Sequence, residues 1–427
     1  MKNKKAICLL SISLILVLLL SLSATVLAEE AAQEQITLTY WHVGPFEPLE
    51  SATMHLIDTF MEKYPNITVE VEGFPFSEYF TKVDTATAAG TGPDVFWVDS
   101  THVTKYVFND MIIPLTDFVP DDFNDDFFEL TLQDAMYRNG ELYAIPLHQS
   151  TQAVLYNEDL IQAAGLEPPK SYDEAWDFEE YRQAMEAVSK IADDGTVETW
   201  AYTQHYNYGY YSLQPLMVAY SGHGFMDPEG TTYDGYTNSD DMVEAETWFC
   251  ELYRDNLAPG LDRIPDIFQS GKVAFYEANP FVLVDIQNRF PDLNVGVMPE
   301  PCGERCAVQS GSYHIGIHAN SEHSEEAWLL VDHITNFDGH RYWVDTTGYM
   351  PARYSVYEDI PRLKEYPWSI FVDGLINHAI SREGNLAWPV FNTEIQNAVT
   401  NCAAGSDVKE ELDRVVDLAQ AELDMYK

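Results

Sequence analysis

Residues 36–99 alternate between two hydrophobic periodicities, and this alternation constrains the fold more than any other feature of the chain. Apolar and polar residues alternate in residues 36–41 and 67–71, which predicts β-strands. Between them, the apolar residues of segment 49–64 recur on one helical face. A second helical pattern follows, and then an apolar strand that ends at Asp99. Strands that alternate with helices predict a mostly parallel sheet flanked by helices, which places the chain in the α/β class.

The carboxyl end of the third predicted strand carries two polar residues, Asp99 and Ser100. In open α/β sheets, ligands bind outside the carboxyl ends of strands, so both residues are candidate ligand contacts. The alternative role for Asp99 is a helix N-cap. The nearby glycines Gly90 and Gly92 do not form a phosphate-binding loop, because they precede the strand and no Gly-Lys-Ser/Thr sequence follows.

Local signals in the middle of the chain mark an edge strand and a helix. Residues 142–147 form an apolar extended segment, and Pro146 within it favours an edge strand, since proline cannot donate to a neighbouring strand. Ser171 and Glu174 have the spacing of a capping box, which predicts a helix over residues 171–191.

The charge of the chain excludes several classes of partner. Its 427 residues include 23 Lys and Arg against 69 Asp and Glu, a net charge of −46. Nucleic acids and anionic membranes would be repelled, so neither is an expected partner. Pairs of neighbouring acids such as Asp121 and Asp122 carry no catalytic signal in so acidic a sequence, and a solvated surface is their simpler interpretation.

The N-terminus has the three parts of an export signal. Lys2, Lys4 and Lys5 precede an apolar core at residues 6–22, and small residues follow it. The core is slightly short for a membrane span. We therefore expect residues 1–28 to be removed, and the mature protein to be soluble in the periplasm or outside the cell.

Four cysteines remain after such a cleavage: Cys250, Cys302, Cys306 and Cys402. An even number in an exported protein favours disulfides. We expect Cys302 and Cys306 to close a small loop, and Cys250 and Cys402 to be either paired or buried. A metal site is the alternative, but a lone C-x3-C sequence lacks a second pair of ligands, so no metal is predicted.

Six short motifs follow one another along the chain. They are GTGPDV (90–95), GELYAIP (140–146), LYNEDL (155–160), AGLEPPKSYDE (164–174), FQSGKVAF (268–275) and GYMPAR (348–353). Their order resembles that of the family 1 extracellular solute-binding proteins, the sugar-capturing components of ABC importers. The resemblance covers nearly the whole chain after the export signal.

This resemblance implies a type II periplasmic-binding-protein fold, an α/β fold with two lobes. Each lobe would contain a mostly parallel sheet flanked by helices. Three chain crossings, near Pro146, Ser310 and Pro351, would form the hinge between the lobes. The implied limits are residues 36–147 plus 311–350 for the first lobe and residues 148–310 plus 351–427 for the second.

The resemblance also implies a ligand site in the cleft between the lobes. Aromatic rings would stack on the C–H face of a sugar, and Asp99 would accept hydrogen bonds from its hydroxyls. The chain departs from the family where Ala278-Asn279-Pro280 replaces Asn-Gly-Pro and Phe281 replaces tryptophan. Core packing is the alternative role for Trp388 and for each tyrosine. The predicted ligand-binding residues are Trp41, Asp99, Ser100, His148, Tyr208, Tyr211, Asn279, Phe281, Ser310, Tyr349, Arg353 and Trp388.

The predicted function is capture of a sugar or oligosaccharide and its delivery to the permease of an ABC importer. We expect a monomer that has no cofactor and catalyses no reaction. One alternative is a binding protein for a non-sugar polyol or a phosphodiester. Another is a secreted glycoside hydrolase, which would also have aromatic and carboxylate residues in a cleft. The sequence has no nucleophile elbow, metal-binding signature or phosphate loop.

Overall fold

The computed structural model describes residues 34–137, 140–205, 210–261, 264–382 and 384–426. The predicted export signal, residues 1–28, lies outside the described residues, as does the candidate ligand contact Tyr208.

Strands and helices alternate over residues 36–108 and follow one another less regularly beyond them. The strands are β1 (Ile36–Val43), β2 (Ile67–Phe74), β3 (Val95–Asp99), β4 (Ile145–Pro146), β5 (Ala153–Asn157), β6 (Lys190–Ile191), β7 (Val197–Gln204), β8 (Val273–Ala278), β9 (Val295–Met298), β10 (Val308–Gln309), β11 (Tyr313–Ile317) and β12 (Ala379–Ile380). The α-helices are α1 (Leu49–Lys63), α2 (Phe76–Ala88), α3 (Val103–Phe108), α4 (Glu129–Ala135), α5 (Glu158–Ala164), α6 (Phe178–Val188), α7 (Tyr210–Ser221), α8 (Asp240–Arg254), α9 (Pro280–Arg289), α10 (Ser324–Thr335), α11 (Phe337–Thr347), α12 (Tyr354–Asp359), α13 (Trp368–Asn377), α14 (Trp388–Ala403) and α15 (Val408–Asp424).

Two five-stranded sheets organise the molecule, and we call the parts built around them the first and second lobes. The first sheet has the order β2-β1-β3-β11-β4, and the second has the order β6-β7-β8-β5-β9. Pro146 lies in β4, the edge strand that its ring predicts. The predicted apolar face of α1 is buried against the core of the first lobe.

Both sheets are mixed, so the prediction of mostly parallel sheets is wrong in this detail. In the first sheet β1 runs parallel to β2 and β3, but β11 runs antiparallel to β3 and β4. In the second sheet only β7 and β8 are parallel. The early strand–helix alternation could not show this, because β11 comes from a distant part of the chain after a crossing and enters the first sheet in the opposite direction.

The predicted helix over residues 171–191 is also wrong in its limits. Ser171 makes no side-chain capping bond, and only a single 3-10 turn over Tyr172–Glu174 follows it. The helix α6 begins at Phe178 instead, after a capping box formed by Asp177 and Glu180. The backbone N–H of Glu180 donates to Oδ1 of Asp177 at 2.7 Å, and this Asp-x-x-Glu sequence satisfies the same backbone groups that a Ser-x-x-Glu sequence satisfies.

The chain crossings between the two sheets lie side by side. Gln149 and Met350 exchange two backbone hydrogen bonds, of 2.9 and 3.0 Å. The N–H of Gly311 donates to the carbonyl of Ser150 at 3.1 Å, and the N–H of Ser150 donates back at 2.6 Å. These bonds bring three distant segments together between the lobes. The predicted residue limits of the lobes stay a prediction.

Two disulfides hold the second lobe. Cys302 and Cys306 are joined with Cα atoms 4.4 Å apart, as the sequence predicted. Cys250 of α8 and Cys402 of α14 are joined with Cα atoms 5.8 Å apart. Of the two predicted alternatives, pairing or burial, the structure therefore shows pairing. Among the described residues, no helix combines the length and the apolar character that a membrane span requires.

Candidate functional site

An ion pair between the lobes marks the centre of the site. Asp99 is the last residue of β3, and Arg382 follows β12 and precedes α14. Nη2 of Arg382 lies 3.0 Å from Oδ1 of Asp99 and donates to Oγ of Ser100 at 2.8 Å. Asp99 and Ser100, both predicted as ligand contacts, therefore bind the guanidinium group of Arg382 from the opposite lobe.

Asp99 also fills its alternative role as an N-cap. Its Oδ1 accepts hydrogen bonds from the backbone N–H of Thr101 at 3.0 Å and from the Thr101 hydroxyl at 2.6 Å. Burial by itself would raise the pKa of Asp99, but the positive charge of Arg382 and the bonds from His102 and Thr101 outweigh burial. The pKa of Asp99 therefore lies well below its usual range, and the carboxylate stays ionised.

A second group of polar side chains surrounds the crossing at Ser150. The amide Nδ2 of Asn279 donates to Oγ of Ser150 at 2.6 Å and to the carbonyl of Thr151 at 2.8 Å. The hydroxyl of Tyr211 donates to the same Oγ at 2.9 Å. Asn279 immediately precedes α9 but makes no capping bond with its side chain, so its amide points instead to the crossing.

The ion pair and the polar side chains around Ser150 are next to each other, because Tyr211 and Gly311 lie between them. The guanidinium carbon of Arg382 lies 5.6 Å from the centroid of the Tyr211 ring. A Cβ atom on Gly311 would lie 2.6 Å from Cε2 of that ring, closer than real Cβ contacts. Glycine at 311 therefore lets the Tyr211 ring lie against the crossing and beside the guanidinium group.

A second carboxyl group lies close to Arg382. Asp134 of α4 accepts a hydrogen bond from the Ser381 hydroxyl at 2.7 Å, which is another contact between the lobes. Burial raises the pKa of Asp134 to about 6, although the Ser381 bond and the charge of Arg382 lower it. Asp134 is therefore the carboxyl group of the site that changes its charge in the neutral range.

Three buried polar atoms of this site have no hydrogen-bonding partner within the described part of the chain. They are the acceptor Oδ2 of Asp134, the acceptor Oδ1 of Asn279 and the donor Nε of Arg382. Buried polar atoms are normally satisfied, so such a group favours a polar ligand. A hydroxyl group both donates and accepts, and a polyhydroxylated ligand can therefore satisfy all three atoms.

An aromatic contact joins the lobes beside the polar groups. The rings of Phe281 and Tyr349 have centroids 5.2 Å apart, and His148 lies behind Tyr349 at 3.9 Å. His148 is fully buried and accepts a hydrogen bond from the indole N–H of Trp343 at 3.2 Å. Burial lowers its pKa to about 3, so it is neutral. The structure thus places His148 as a buried support of Tyr349, and its role as a ligand contact stays a prediction.

Ser310 and Arg353 serve the framework around the site. The hydroxyl of Ser310 is fully buried and donates to Oε1 of Gln149 at 3.2 Å, within the crossings. Arg353 bonds to Asp126 at 3.0 Å and lies over the ring of Phe127 at 4.1 Å. Its guanidinium group thus pairs with an acid and an aromatic ring of the first lobe, and its role as a ligand contact stays a prediction.

The two predicted tryptophans belong to different parts of the molecule. Trp388 begins α14, is 9% exposed and belongs to the hydrophobic core of the second lobe. Trp41 pairs with Phe96 across the first sheet, and Asp99 is three residues farther along the neighbouring strand. Side chains alternate between the faces of a strand, so Trp41 and Asp99 lie on opposite faces. Trp41 lines a separate groove of about 370 Å³ with Phe74.

Arg382, Asp134 and Ser150 are not among the ligand-binding residues that the sequence predicts. Ser150 belongs to the polar run between two apolar segments, so a signal for it was present. Arg382 and Asp134 stand in none of the recognised motifs, and only the tertiary structure brings them to Asp99.

The comparisons with known proteins agree with this architecture. A family model described as bacterial extracellular solute-binding protein matches residues 55–368. The galactooligosaccharide-binding protein of Bacillus subtilis is 23% identical over 85% of this chain and 84% of its own. The maltotriose-binding protein of Pyrococcus abyssi is 23% identical over 76% of this chain and 68% of its own.

Solved structures show the same fold. An ABC substrate-binding protein of Listeria monocytogenes, in complex with cycloalternan, superposes with a TM-score of 0.79 at 20% identity. The superposition covers 91% of this chain and 99% of that one. The sugar-binding protein MalE of Xanthomonas citri gives a TM-score of 0.74 at 19% identity, covering 91% and 98% of the two chains. The likeness confirms the predicted two-lobed α/β fold.

Proposed function

Because the chain belongs to the bacterial extracellular solute-binding proteins, we propose that it captures a sugar or oligosaccharide between its lobes and delivers it to an ABC importer permease. Relatives from Bacillus subtilis and Pyrococcus abyssi are named for the oligosaccharides that they bind. The protein acts outside the cytoplasmic membrane after removal of its export signal. It works as a monomer, without a cofactor and without catalysis.

The observation that carries this proposal is the set of three partnerless polar atoms between the lobes. They are one donor on Arg382 and two acceptors on Asp134 and Asn279, and both Arg382 and Asn279 contact Tyr211. A sugar offers hydroxyls to such atoms and an apolar C–H face to a neighbouring ring. The ionised Asp99 already balances the charge of Arg382, and Asp134 lies close by, so the site disfavours an anionic ligand.

Calorimetric titration of the purified mature protein tests the proposal. The ligands are maltotriose, raffinose, arabinotriose and mannotriose, each matched with its constituent monosaccharides. We expect at least one of these sugars to bind with a dissociation constant in the micromolar range or below, about −8 kcal/mol. Chromatography of the same samples should show each sugar unchanged. Binding of none of these sugars, or release of products from any of them, would contradict the proposal.

A substitution at Asn279 tests whether binding occurs at this site. Asn279→Ala removes one free acceptor and the amide group whose two N–H donors lie within hydrogen-bond distance of Ser150, Thr151 and Tyr211, so we expect sugar binding to weaken by about tenfold or more. Asn397→Ala is the matched control, because Asn397 is exposed on α14 of the same lobe. Equal affinities for the two variants would place the sugar elsewhere on the protein.

A further inference from the structure

The first lobe presents a rim of loops next to Asp99. The parallel strands β1, β2 and β3 end at the same edge of the first sheet, and β1 lies between the other two. Neighbouring strands are about 4.8 Å apart, so the end of β2 lies about 10 Å from the end of β3. The helix α2 begins directly after β2, at Phe76.

Three rings form a continuous row along this rim, which we call the aromatic row: His102, Phe80 and Phe76. His102 and Phe80 are stacked, with centroids 4.1 Å apart and planes 12° apart. Phe80 meets Phe76 one helical turn away, edge to face, with centroids 5.6 Å apart. At its inner end, Nδ1 of His102 lies 4.0 Å from Oδ1 of Asp99. The aromatic row therefore begins at the candidate site and leads away from it.

The outer end of the aromatic row is open to solvent. The side chain of Phe76 is 59% exposed, more than any other exposed phenylalanine in the described residues. Phe46, in the adjacent loop after β1, is 45% exposed. Ligand pockets are lined mainly by hydrophobic and aromatic side chains, so exposed rings next to the candidate site can extend it.

We propose that the aromatic row is an additional sugar subsite, which stacks a second ring of the ligand and makes an oligosaccharide the preferred substrate. This inference rests on the proposed function of the cleft. One sugar unit occupies the polar group at Asp99 and Tyr211, and the next unit of the chain lies over Phe76 and Phe80. The aromatic row offers π faces and no hydroxyl groups, so a longer ligand gains apolar contact there. The sugar hydroxyls are recognised by the polar side chains of the cleft.

The test compares ligand lengths in two variants. Phe76→Ala removes the exposed ring of the aromatic row. Phe337→Ala is the matched control, because Phe337 is also the first residue of a first-lobe helix and is 39% exposed. Each variant and the parent protein are titrated with the tightest-binding trisaccharide among maltotriose, raffinose, arabinotriose and mannotriose, and with its monosaccharides.

We expect Phe76→Ala to weaken trisaccharide binding by about threefold to tenfold and to leave monosaccharide binding unchanged, while Phe337→Ala changes neither. An unchanged trisaccharide affinity in Phe76→Ala, or an equal loss for both ligand lengths, would overturn the subsite. So would a parent protein that binds a monosaccharide as tightly as the trisaccharide. Absence of binding by the parent to every sugar would instead refute the proposed function, and this inference with it.

Discussion

Asp99 and Arg382 come from opposite lobes and form an ion pair in the cleft, with Nη2 of Arg382 3.0 Å from Oδ1 of Asp99. Their side chains are only 9% and 10% exposed. Removal of one partner from a buried pair leaves the other charge uncompensated and costs about 3–5 kcal/mol. The charge can avoid this cost if the lobes separate and admit water, so we expect the ion pair to favour a closed cleft.

Arg382→Ala should therefore open the protein in the absence of ligand. We expect a larger radius of gyration in small-angle X-ray scattering than the parent has, because the ionised Asp99 becomes hydrated when the lobes separate. The double variant Asp99→Asn with Arg382→Gln removes both charges and leaves polar amides in their place, so its radius should stay close to that of the parent. A parent-like radius for Arg382→Ala would show that the ion pair does not control closure.

Gly311→Ala should disturb the site without a change in charge. The added Cβ would lie 2.6 Å from the ring of Tyr211, which must move away from the crossing. We expect sugar affinity to fall by about tenfold or more with an unchanged circular dichroism spectrum. Gly384→Ala is the control, since its Cβ would meet no atom closer than 3.6 Å. Equal affinities of both variants would exclude the Tyr211 ring from the site.

Glu246→Gln should change how stability depends on pH. Burial, followed by the charge of Glu411, raises the pKa of Glu246 from 4.5 to about 8. Between these pH values the folded protein keeps a proton that the unfolded chain releases, so stability falls by about 1.4 kcal/mol per pH unit as pH rises. Below pH 4.5 and above pH 8 this group contributes no slope.

Urea unfolding at pH 5, 6 and 7 measures this effect. We expect the difference in unfolding free energy, Glu246→Gln minus parent, to increase by about 1.4 kcal/mol for each pH unit as the pH rises from 5 to 7. Glu244→Gln, at an exposed position of the same helix α8, should follow the parent at every pH. Parallel curves for the parent and Glu246→Gln would mean that Glu246 is ionised in the folded protein.

The two disulfides should differ in their effect on stability. Cys250 and Cys402 are 152 residues apart, and a chain-entropy argument assigns about 5 kcal/mol to such a loop. Cys302 and Cys306 are 4 residues apart, and the same argument gives about 2 kcal/mol. Guanidinium unfolding of the two double alanine variants should show the larger loss for the 250/402 pair. The reverse order would contradict the entropic account.

The oxidation state of the four cysteines is checked separately. We expect no cysteine of the exported, mature protein to react with iodoacetamide in denaturant without reductant, and all four to react after reduction. Intact-mass analysis reads the number of added groups. Labelling before reduction would show that the corresponding disulfide is absent.

The sequence by itself determined the local elements and the family. Strand β3, the buried face of α1 and the edge position of Pro146 follow from periodicity and from the chemistry of single residues. Asp99 and Ser100 can be predicted as candidates because the end of an apolar strand is a local feature. The motifs predicted the two-lobed fold because they follow one another along the chain in the order that resembles the family's.

The tertiary structure decided which side chains meet. Arg382 and Asp99 are 283 residues apart, and no local pattern relates them. Arg353 and His148 lie in or beside the predicted crossings, but their partners, Asp126 and Trp343, come from other segments and keep them within the framework. The direction of β11 likewise depends on a crossing that joins distant parts of the chain. Periodicity and capping act over a few residues, whereas a binding site is assembled from side chains that only packing brings together.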